Sequence, residues 1–445
     1  MIGLLLLFLP MDYANLRENI YKSLLSLFTE DGIYASSKEE VYGCIFGRDS
    51  AITILKILKV CSNKILYPTL EYNLLQDACR RSLLSLVFLQ GKEKNIESGE
   101  EPGKYIHEYR KDGYERLIKR EMPWYIYPDG ILRNYDSIDS TPLTLIAIYR
   151  FWELTRDKAF LDRVLPSVER ALQWIIAYAD IDHDNLVEYE FHKDRKHGGL
   201  KVQSWTDSHQ SLQFPDGKMP EYPIAPVEVQ GYVWLALKLW SDYYNSLPES
   251  SVKRDYAAKL ELQAKVLKQK FNSAFIFKDK DYFFTAQALD GKKNQIKTVT
   301  GNSLLLLWSS FVKNGKIESI LEEKYVNDLV KRSFESDMYD ADAGIRTMSS
   351  ISLTYNCNQD SYHNGSFWPK LNGMIHEGLE KWSYVEEAEK LKFASLKPIF
   401  YFGTPIELYL KKDNVSYMEY RSPSGQVSCR QQAWSAAAAL DLLTV

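Results

Sequence analysis

The sequence lacks most features that would assign it to a class at a glance. After the first ten residues no apolar run approaches the roughly 20 residues that a membrane-spanning helix needs. Charge of one sign is missing as well. Against 55 Lys+Arg stand 59 Asp+Glu, a formal net charge of -4, and without a basic field there is no electrostatic footprint for nucleic acid. Cysteine is sparse: Cys44, Cys61, Cys79, Cys357 and Cys429 are odd in number, far apart and without a Cys-x-x-Cys pair. That excludes a disulfide framework and a zinc knuckle, and points to reduced thiols and a cytoplasmic location. No two histidines stand at ligand spacing with a carboxylate between them, so neither a catalytic metal nor another cofactor is expected. No Pro/Gly/Ser linker or low-complexity run divides the 445 residues. Although that length exceeds the usual limit of a single core, one domain over 13–445 is expected behind an apolar tail, 1–12. The tail, with Ile2 to Leu9, has no basic flank and no small-residue cleavage signal. It therefore reads neither as a secretory signal nor as a span, and Met11 is an alternative first residue.

What the chain does have is an ordinary globular balance, 45% hydrophobic and 26% charged, and a heavy aromatic load of 30 Tyr, 10 Trp and 19 Phe. Flat apolar rings with polar edges suit the C–H face of a sugar, and equally suit the margins of a large core.

Helical periodicity dominates. Ile54, Ile57, Leu58 and Cys61 follow the i, i+3, i+4, i+7 rule, as do Leu161, Val164, Leu165, Val168, Leu172 and Ile175. The spacing predicts helices near 13–29, 48–62, 70–91, 139–155, 158–179, 226–247, 252–274, 300–313, 317–336, 365–381, 384–397 and 430–443. Polar, turn-rich insertions follow every second helix, at 92–137, 181–224, 275–299, 338–364 and 398–429. Paired helices interrupted in this rhythm close into a ring with alternate helices inside and the long loops at one end. The expected fold is an all-α helical barrel. Tyr282–Ala286 is the best strand, in a small β-hairpin insertion. Asp182-His183-Asp184-Asn185 departs from a calcium loop in its glycine and distal glutamate, and reads as a polar turn.

The unusual residues lie in the loops and at the helix starts after them: Gly47-Arg48-Asp49-Ser50, Glu101-Pro102-Gly103-Lys104, Ile106-His107-Glu108, Asp136 to Ser140, Ser204-Trp205-Thr206-Asp207-Ser208, Pro226 to Tyr232, Gly344 to Thr347, Tyr362 to Pro369, Pro405-Ile406-Glu407-Leu408 and Gln432-Ala433-Trp434. Loops carried on one end of a rigid scaffold are where function concentrates. Carboxylates accept from sugar hydroxyls and arginine donates in a planar fork. Cleaving an acetal needs in addition one protonated carboxyl group and one ionised carboxylate.

In order, from Gly47 to Trp434, these segments resemble the amylo-α-1,6-glucosidase (glycogen-debranching) family. The matching stretches are Gly-Arg-Asp, Glu-Pro-Gly-Lys-x-x-His-Glu, Trp-x-Asp-Ser, Pro-x-Glu-Val-Gln-Gly-Tyr and Tyr-His-Asn-Gly-x-x-Trp-Pro. The resemblance implies an (α/α)6 barrel, a six-hairpin toroid, and an exo-acting inverting glycosidase for α-1,6-linked glucose of glycogen or related oligosaccharides. It implies Asp207 as general acid and Glu407 as base; Ile406 interrupts the family's Pro-Glu-Leu wording, and Glu419 is the competing base. Arg48 and Asp49 resemble the pair that holds the terminal sugar, with Asp139, Trp205, Glu228, Gln230, Arg346, His363 and Trp368 completing the pocket.

Other readings stand beside these roles. Asp49 is also placed to cap a helix. Glu228 and Gln230 point in different directions from one helix, leaving one of them structural. Trp434 reads as core. The chain lacks room for the transferase half of large debranching enzymes, so trehalase, glucoamylase and mannosyl- or glucosylglycerate hydrolase are alternative activities of the same barrel. A non-catalytic carbohydrate-binding protein is a third reading, opposed by the retention of both carboxylates. No membrane or nucleic-acid partner is expected, and the oligomeric state is not readable.

Overall fold

A computed structural model describes residues 12–63, 70–248, 251–412 and 416–444. Of the expected tail 1–12, residues 1–11 lie outside the described residues. In chain order the helices are α1 (Tyr13–Ser26), α2 (Gly47–Ser62), α3 (Leu70–Phe88), the one-turn α4 (Glu115–Ile118), α5 (Ser140–Thr155), α6 (Lys158–Ala177), α7 (Val227–Ser246), α8 (Ser251–Ala274), α9 (Leu305–Trp308), α10 (Val326–Ser333), α11 (Pro369–Lys381), α12 (Val385–Phe402) and α13 (Ala433–Leu442).

Their sequences sort them into two layers. α6 buries a stripe built on Leu161, Val164, Val168, Leu172 and Ile175, and its N-cap Asp157 accepts from Phe160 N. That is the pattern of a helix with one wet face. α5 instead buries every residue from Ser140 to Tyr149, and α13 every residue from Ala433 to Leu442. Helices that are apolar all round belong inside. Accordingly α2 packs on α5, α5 on α7, α7 on α9, α9 on α11, α11 on α13, and α13 returns to α2. Outside them α3 lies on α2, α6 on α5, α8 on α7, α12 on α11 and α1 on α13. The result is an α/α toroid. Small residues let the inner ring close: a Cβ on Gly373 of α11 would stand 2.7 Å from the Ala438 Cβ of α13. Among the described residues no helix is long and apolar enough to cross a membrane.

The inner helices point their N-termini toward one end, and short strands precede two of them. β1 (Ile45–Phe46) runs into α2 and pairs with β2 (Glu108–Arg110), which pairs with β3 (Leu132–Asn134). Ala225–Pro226 runs into α7 and pairs with Ala288–Leu289. The expected strand is present as Tyr282–Thr285, paired with Ile276–Asp279. The loops are therefore more ordered than one hairpin in an all-α chain, because several of them satisfy their buried backbone groups as two- and three-stranded ladders.

The largest departure from the periodicity lies at 300–336. In place of two long helices there is a 3-10 turn, Gly301–Leu304, the four-residue α9, and a hairpin of Phe311–Lys313 with Lys316–Glu318 before α10. Leu304 to Leu307 are all fully buried, a run in which periodicity cannot tell helix from any other buried segment. Asn314 and Gly315 at the hairpin tip take φ of 52° and 72°. That Asn-Gly pair is the usual hairpin signal, and it outweighs helix propensity here.

Candidate active site

The N-termini of five of the six inner helices converge on one cavity, and each of the five brings a residue to it or behind it. Arg48 comes from the first turn of α2, Asp139 is the N-cap residue of α5, Glu228 lies in the first turn of α7, and Trp368 and Gln432 are the N-cap residues of α11 and α13. Such an end is electropositive and favours the carboxylates gathered there.

Arg48 is the hub. Its Nε donates to Asp139 Oδ2 at 2.8 Å, its Nη1 to Asp207 Oδ2 at 3.2 Å and its Nη2 to the Ser204 carbonyl at 3.1 Å. One rigid fork thus ties two loops to α2. Ser137 Oγ donates to the other oxygen of Asp139 at 2.5 Å. Asp207 is held on its loop from two sides: Trp205 Nε1 donates to Asn302 Oδ1 at 3.0 Å, and Ser208 Oγ lies 2.9 Å from His363 Nδ1. The His363 ring stacks on Trp368 at 5.0 Å with 14° between planes. Trp205 and Trp434 meet the same indole edge-on at 5.6 and 6.0 Å. Glu407 accepts from the Tyr362 hydroxyl and, at 2.9 Å, from Cys429 N; the Tyr42 hydroxyl lies 3.0 Å from that of Tyr362.

Seven of the residues expected from sequence line this one cavity: Arg48, Asp49, Trp205, Asp207, His363, Trp368 and Glu407. Asp49 is not a helix cap, since Phe46 holds that position; its Oδ1 accepts from Gln432 Nε2 at 3.3 Å. Asp139 and Glu228 are fully buried behind the lining. Two expectations need correction. Gln230 faces away and clamps a loop, accepting from Val187 N at 2.9 Å and donating to Val187 O at 2.7 Å and to Pro226 O at 3.1 Å, so that both of its amide N–H groups are spent on backbone. Arg346 follows the short strand Gly344–Ile345, which turns its guanidinium toward Asp340 at 3.5 Å and over the Phe367 ring at 4.7 Å, outside the cavity. Glu419 also lies off the cavity, paired with Arg430 at 3.3 Å. Trp434, read as core, is buried and lines the cavity as well.

Sequence reasoning passed over three partners. Tyr362 and Lys370 sit inside or just after the Tyr-His-Asn-Gly-x-x-Trp-Pro stretch, where a residue-by-residue reading would have found them; Tyr42 carries no signal of its own.

Burial sets the proton affinities. It pushes Asp207 up to about 6 against the pull of Arg48, and Glu407 up to about 7 against the hydrogen bonds from Tyr362 and Cys429. Burial also raises Asp49 to about 8 and Glu228 to about 7. It lowers Lys370 to about 7, helped by Arg48, and keeps His107 and His363 neutral, well below the usual range. Two carboxyl groups that both titrate near neutrality in one aromatic cavity are able to serve as a proton donor and a proton acceptor for the same bond.

A separate acidic group lies beside another cavity, which Asp180 and Glu188 line. Ligand oxygens of Asp180, Asp182, Asp184 and Glu188 lie within 4.8 Å of one another and are able to hold a cation. The Lys293 ammonium reaches this group, 2.8 Å from Asp182, 3.2 Å from Asp184 and in contact with Glu188. None of the four lines the Asp207–Glu407 cavity.

A family model described as amylo-alpha-1,6-glucosidase matches residues 112–441. No curated protein matches the chain. Among solved structures, the GH63 mannosylglycerate hydrolase of Thermus thermophilus in complex with Tris is similar with a TM-score of 0.66 at 13% identity, covering 96% of this chain and 99% of that one. Its complex with glucose gives the same values. Its complex with Tris and D-glycerate gives 0.63 at 14% identity, with the same coverage of 96% and 99%. At such identity the likeness is one of fold.

Proposed function

This chain belongs to the amylo-alpha-1,6-glucosidase family and is a glycoside hydrolase, and from that premise we propose that it is an exo-acting, inverting α-glucosidase for α-1,6-linked glucose in glycogen-derived or related oligosaccharides. The observation that carries the reading is that Asp207 and Glu407 line one buried cavity, both lifted toward neutrality. The scaffold is read as a six-hairpin (α/α)6 barrel, with residues 13–445 forming one catalytic domain. Five unpaired thiols fit a reducing, cytoplasmic setting.

Protonated Asp207 gives its proton to the glycosidic oxygen as the C1–O bond breaks and its electron pair passes to that oxygen. Glu407 takes a proton from water, whose oxygen attacks C1 from the opposite face. The sugar leaves with inverted configuration, Glu407 releases its proton to solvent, and solvent returns one to Asp207. Tyr362 holds Glu407 in place by its hydrogen bond. Arg48 and Asp49 are the polar groups at the inner end, and Trp205, Trp368 and Trp434 offer apolar faces to the ring.

Glucose release from isomaltose, panose, trehalose and a limit dextrin, with Asp207→Asn as control, tests the reading. The anomer formed first, observed by NMR, tests the stereochemistry. Retained configuration, or full activity in Asp207→Asn, would overturn the assignment. A second activity, hydrolysis of a mannosyl- or glucosylglycerate, has a specific observation in its favour: the similar structure is that of a mannosylglycerate hydrolase.

A further inference from the structure

The Asp207–Glu407 cavity has two arginines in its lining that the bond-breaking chemistry leaves unused. Arg116 belongs to α4, and Arg120 follows at i+4 just beyond it, so the two side chains share one side of that turn. Both line the cavity, along with the apolar Leu117 and Trp124.

The other arginines nearby are committed. Arg48 pairs with Asp139 and Asp207, Arg110 pairs with Glu108, and Arg195 lies 2.7 Å from Asp136. Among the described residues neither Arg116 nor Arg120 has a carboxylate within ion-pair distance. Arg116 spends one donor on the Val41 carbonyl at 3.1 Å and lies 5.8 Å from the Tyr42 ring centre. Arg120 lies 5.8 Å from the Trp124 ring centre. Burial lowers the proton affinity of Arg116, and the charges of Arg110 and Arg120 lower it further; Glu108 is the carboxylate that opposes them. Positive charge is thus in excess on this wall, with most guanidinium N–H groups free. A planar fork with free donors beside aromatic walls is the fit for a carboxylate or phosphate.

We propose that Arg116 and Arg120 form an anion-binding subsite for the leaving group, so that the glycoside cleaved is one whose released alcohol carries a carboxylate or a phosphate. This rests on the glycosidase reading in its second form, with an acidic glycoside such as a glycosylglycerate in place of a neutral gluco-oligosaccharide, and specifies the other half of that substrate. The sugar on the cleaved bond meets Arg48 and Asp49, whereas the acidic part of the leaving group meets Arg116 and Arg120.

Two independent readouts test it. Calorimetry on the full chain at low ionic strength uses D-glycerate, inorganic phosphate and glycerol as separate titrants. At least one anion is expected to bind, glycerol is not, and whichever anion binds more tightly identifies the source of the charge. Arg116→Gln and Arg120→Gln are each expected to weaken the bound anion on the order of tenfold. The kinetic arm compares glucosylglycerate with glucosylglycerol, which share the bond and differ in charge. Wild type is expected to favour the charged glycoside on the order of tenfold in kcat/KM, and both variants to lose that preference through KM. Absence of binding by both anions, binding unaffected by both substitutions, or equal cleavage of the matched pair by wild type would each overturn the subsite. Anion binding through the two arginines without cleavage of any glycoside would support the subsite and count against the glycosidase reading alone.

Discussion

The ammonium of Lys370 lies 3.7 Å from the centre of the Trp205 ring and 4.9 Å from that of Trp434, buried and without a hydrogen-bond acceptor among the described residues. Two cavity-lining indoles therefore share one desolvated amine, lowered by burial to about 7, and in its protonated form the contact is worth up to about 2 kcal/mol. Lys370→Met keeps the volume and removes the charge. It is expected to lower kcat/KM about tenfold, equivalent to ~1.4 kcal/mol, and to change tryptophan fluorescence. Wild-type kinetics with unchanged fluorescence would show that the indoles hold their positions without it.

The pH profile follows from the pair of carboxyl groups. In the proposed mechanism the active form needs one proton on Asp207 and none on Glu407. Below about 6 both are protonated and above about 7 both are ionised; between the two the single proton rests mostly on Glu407, so the active form is the minority of the singly protonated species. A plot of kcat/KM is expected to be bell-shaped with its maximum between those limbs, which belong to the pair and not to either residue alone. A flat profile from pH 5 to 8 would contradict the assignment.

Tyr362→Phe removes the hydroxyl that favours the ionised form of Glu407. The carboxyl is then more basic, so the upper limb is expected to move up by roughly one unit while the maximum falls. The circular dichroism spectrum should stay that of wild type, which separates this effect from unfolding.

Glu407→Gln and Glu419→Gln discriminate the two candidate bases. Loss of a general base is expected to cost about 10²–10⁴-fold in kcat. Glu419, off the cavity and paired with Arg430, is expected to tolerate the change within about twofold, as for an ordinary surface ion pair. The reverse pattern would exchange their roles.

Glu228 is predicted to limit stability at alkaline pH. Burial lifts it to about 7 against small help from its own backbone N–H and the Ser204 hydroxyl, and no hydrogen bond of ordinary length reaches either oxygen among the described residues. Its folded-state value lies above the unfolded one, so between the two the folded chain binds more protons and stability is lost as pH rises through the window from about 4.5 to about 7. The loss approaches about 3 kcal/mol if fully expressed. Glu228→Gln should therefore raise the Tm at pH 8 and leave it nearly unchanged at pH 4.5. Equal shifts at both values would point to packing.

Much of this molecule was legible in one dimension. The stripe through Leu161, Val164 and Val168 announces a helix with one buried face, and the loop rhythm announces helices in two layers with their loops gathered. Trp205, Asp207 and the Tyr362–Pro369 stretch advertise themselves because charged and aromatic residues in a turn have no other structural reason to cluster. Local pattern fails where burial is complete: Leu304 to Leu307 look helical, yet the chain turns and forms a hairpin at Asn314-Gly315, because an all-apolar run carries no phase.

The amino-acid sequence by itself determined that the protein is helical and that its chemistry-bearing residues lie in the loops and at the helix starts after them, since both follow from short-range periodicity and local wording; Asp207 as a candidate acid is what the family resemblance of its Trp-x-Asp-Ser stretch implies. Only the tertiary structure decided which of those residues meet. It brings Glu407 rather than Glu419 to the cavity, sends Gln230 to a backbone clamp and Arg346 to Asp340, and gathers Tyr42, Lys370, Arg116 and Arg120 from distant segments. The physical reason is that electrostatic and hydrogen-bond partnership depends on distance through space, and closing the ring brings Arg48 to Asp207 across 159 positions of chain.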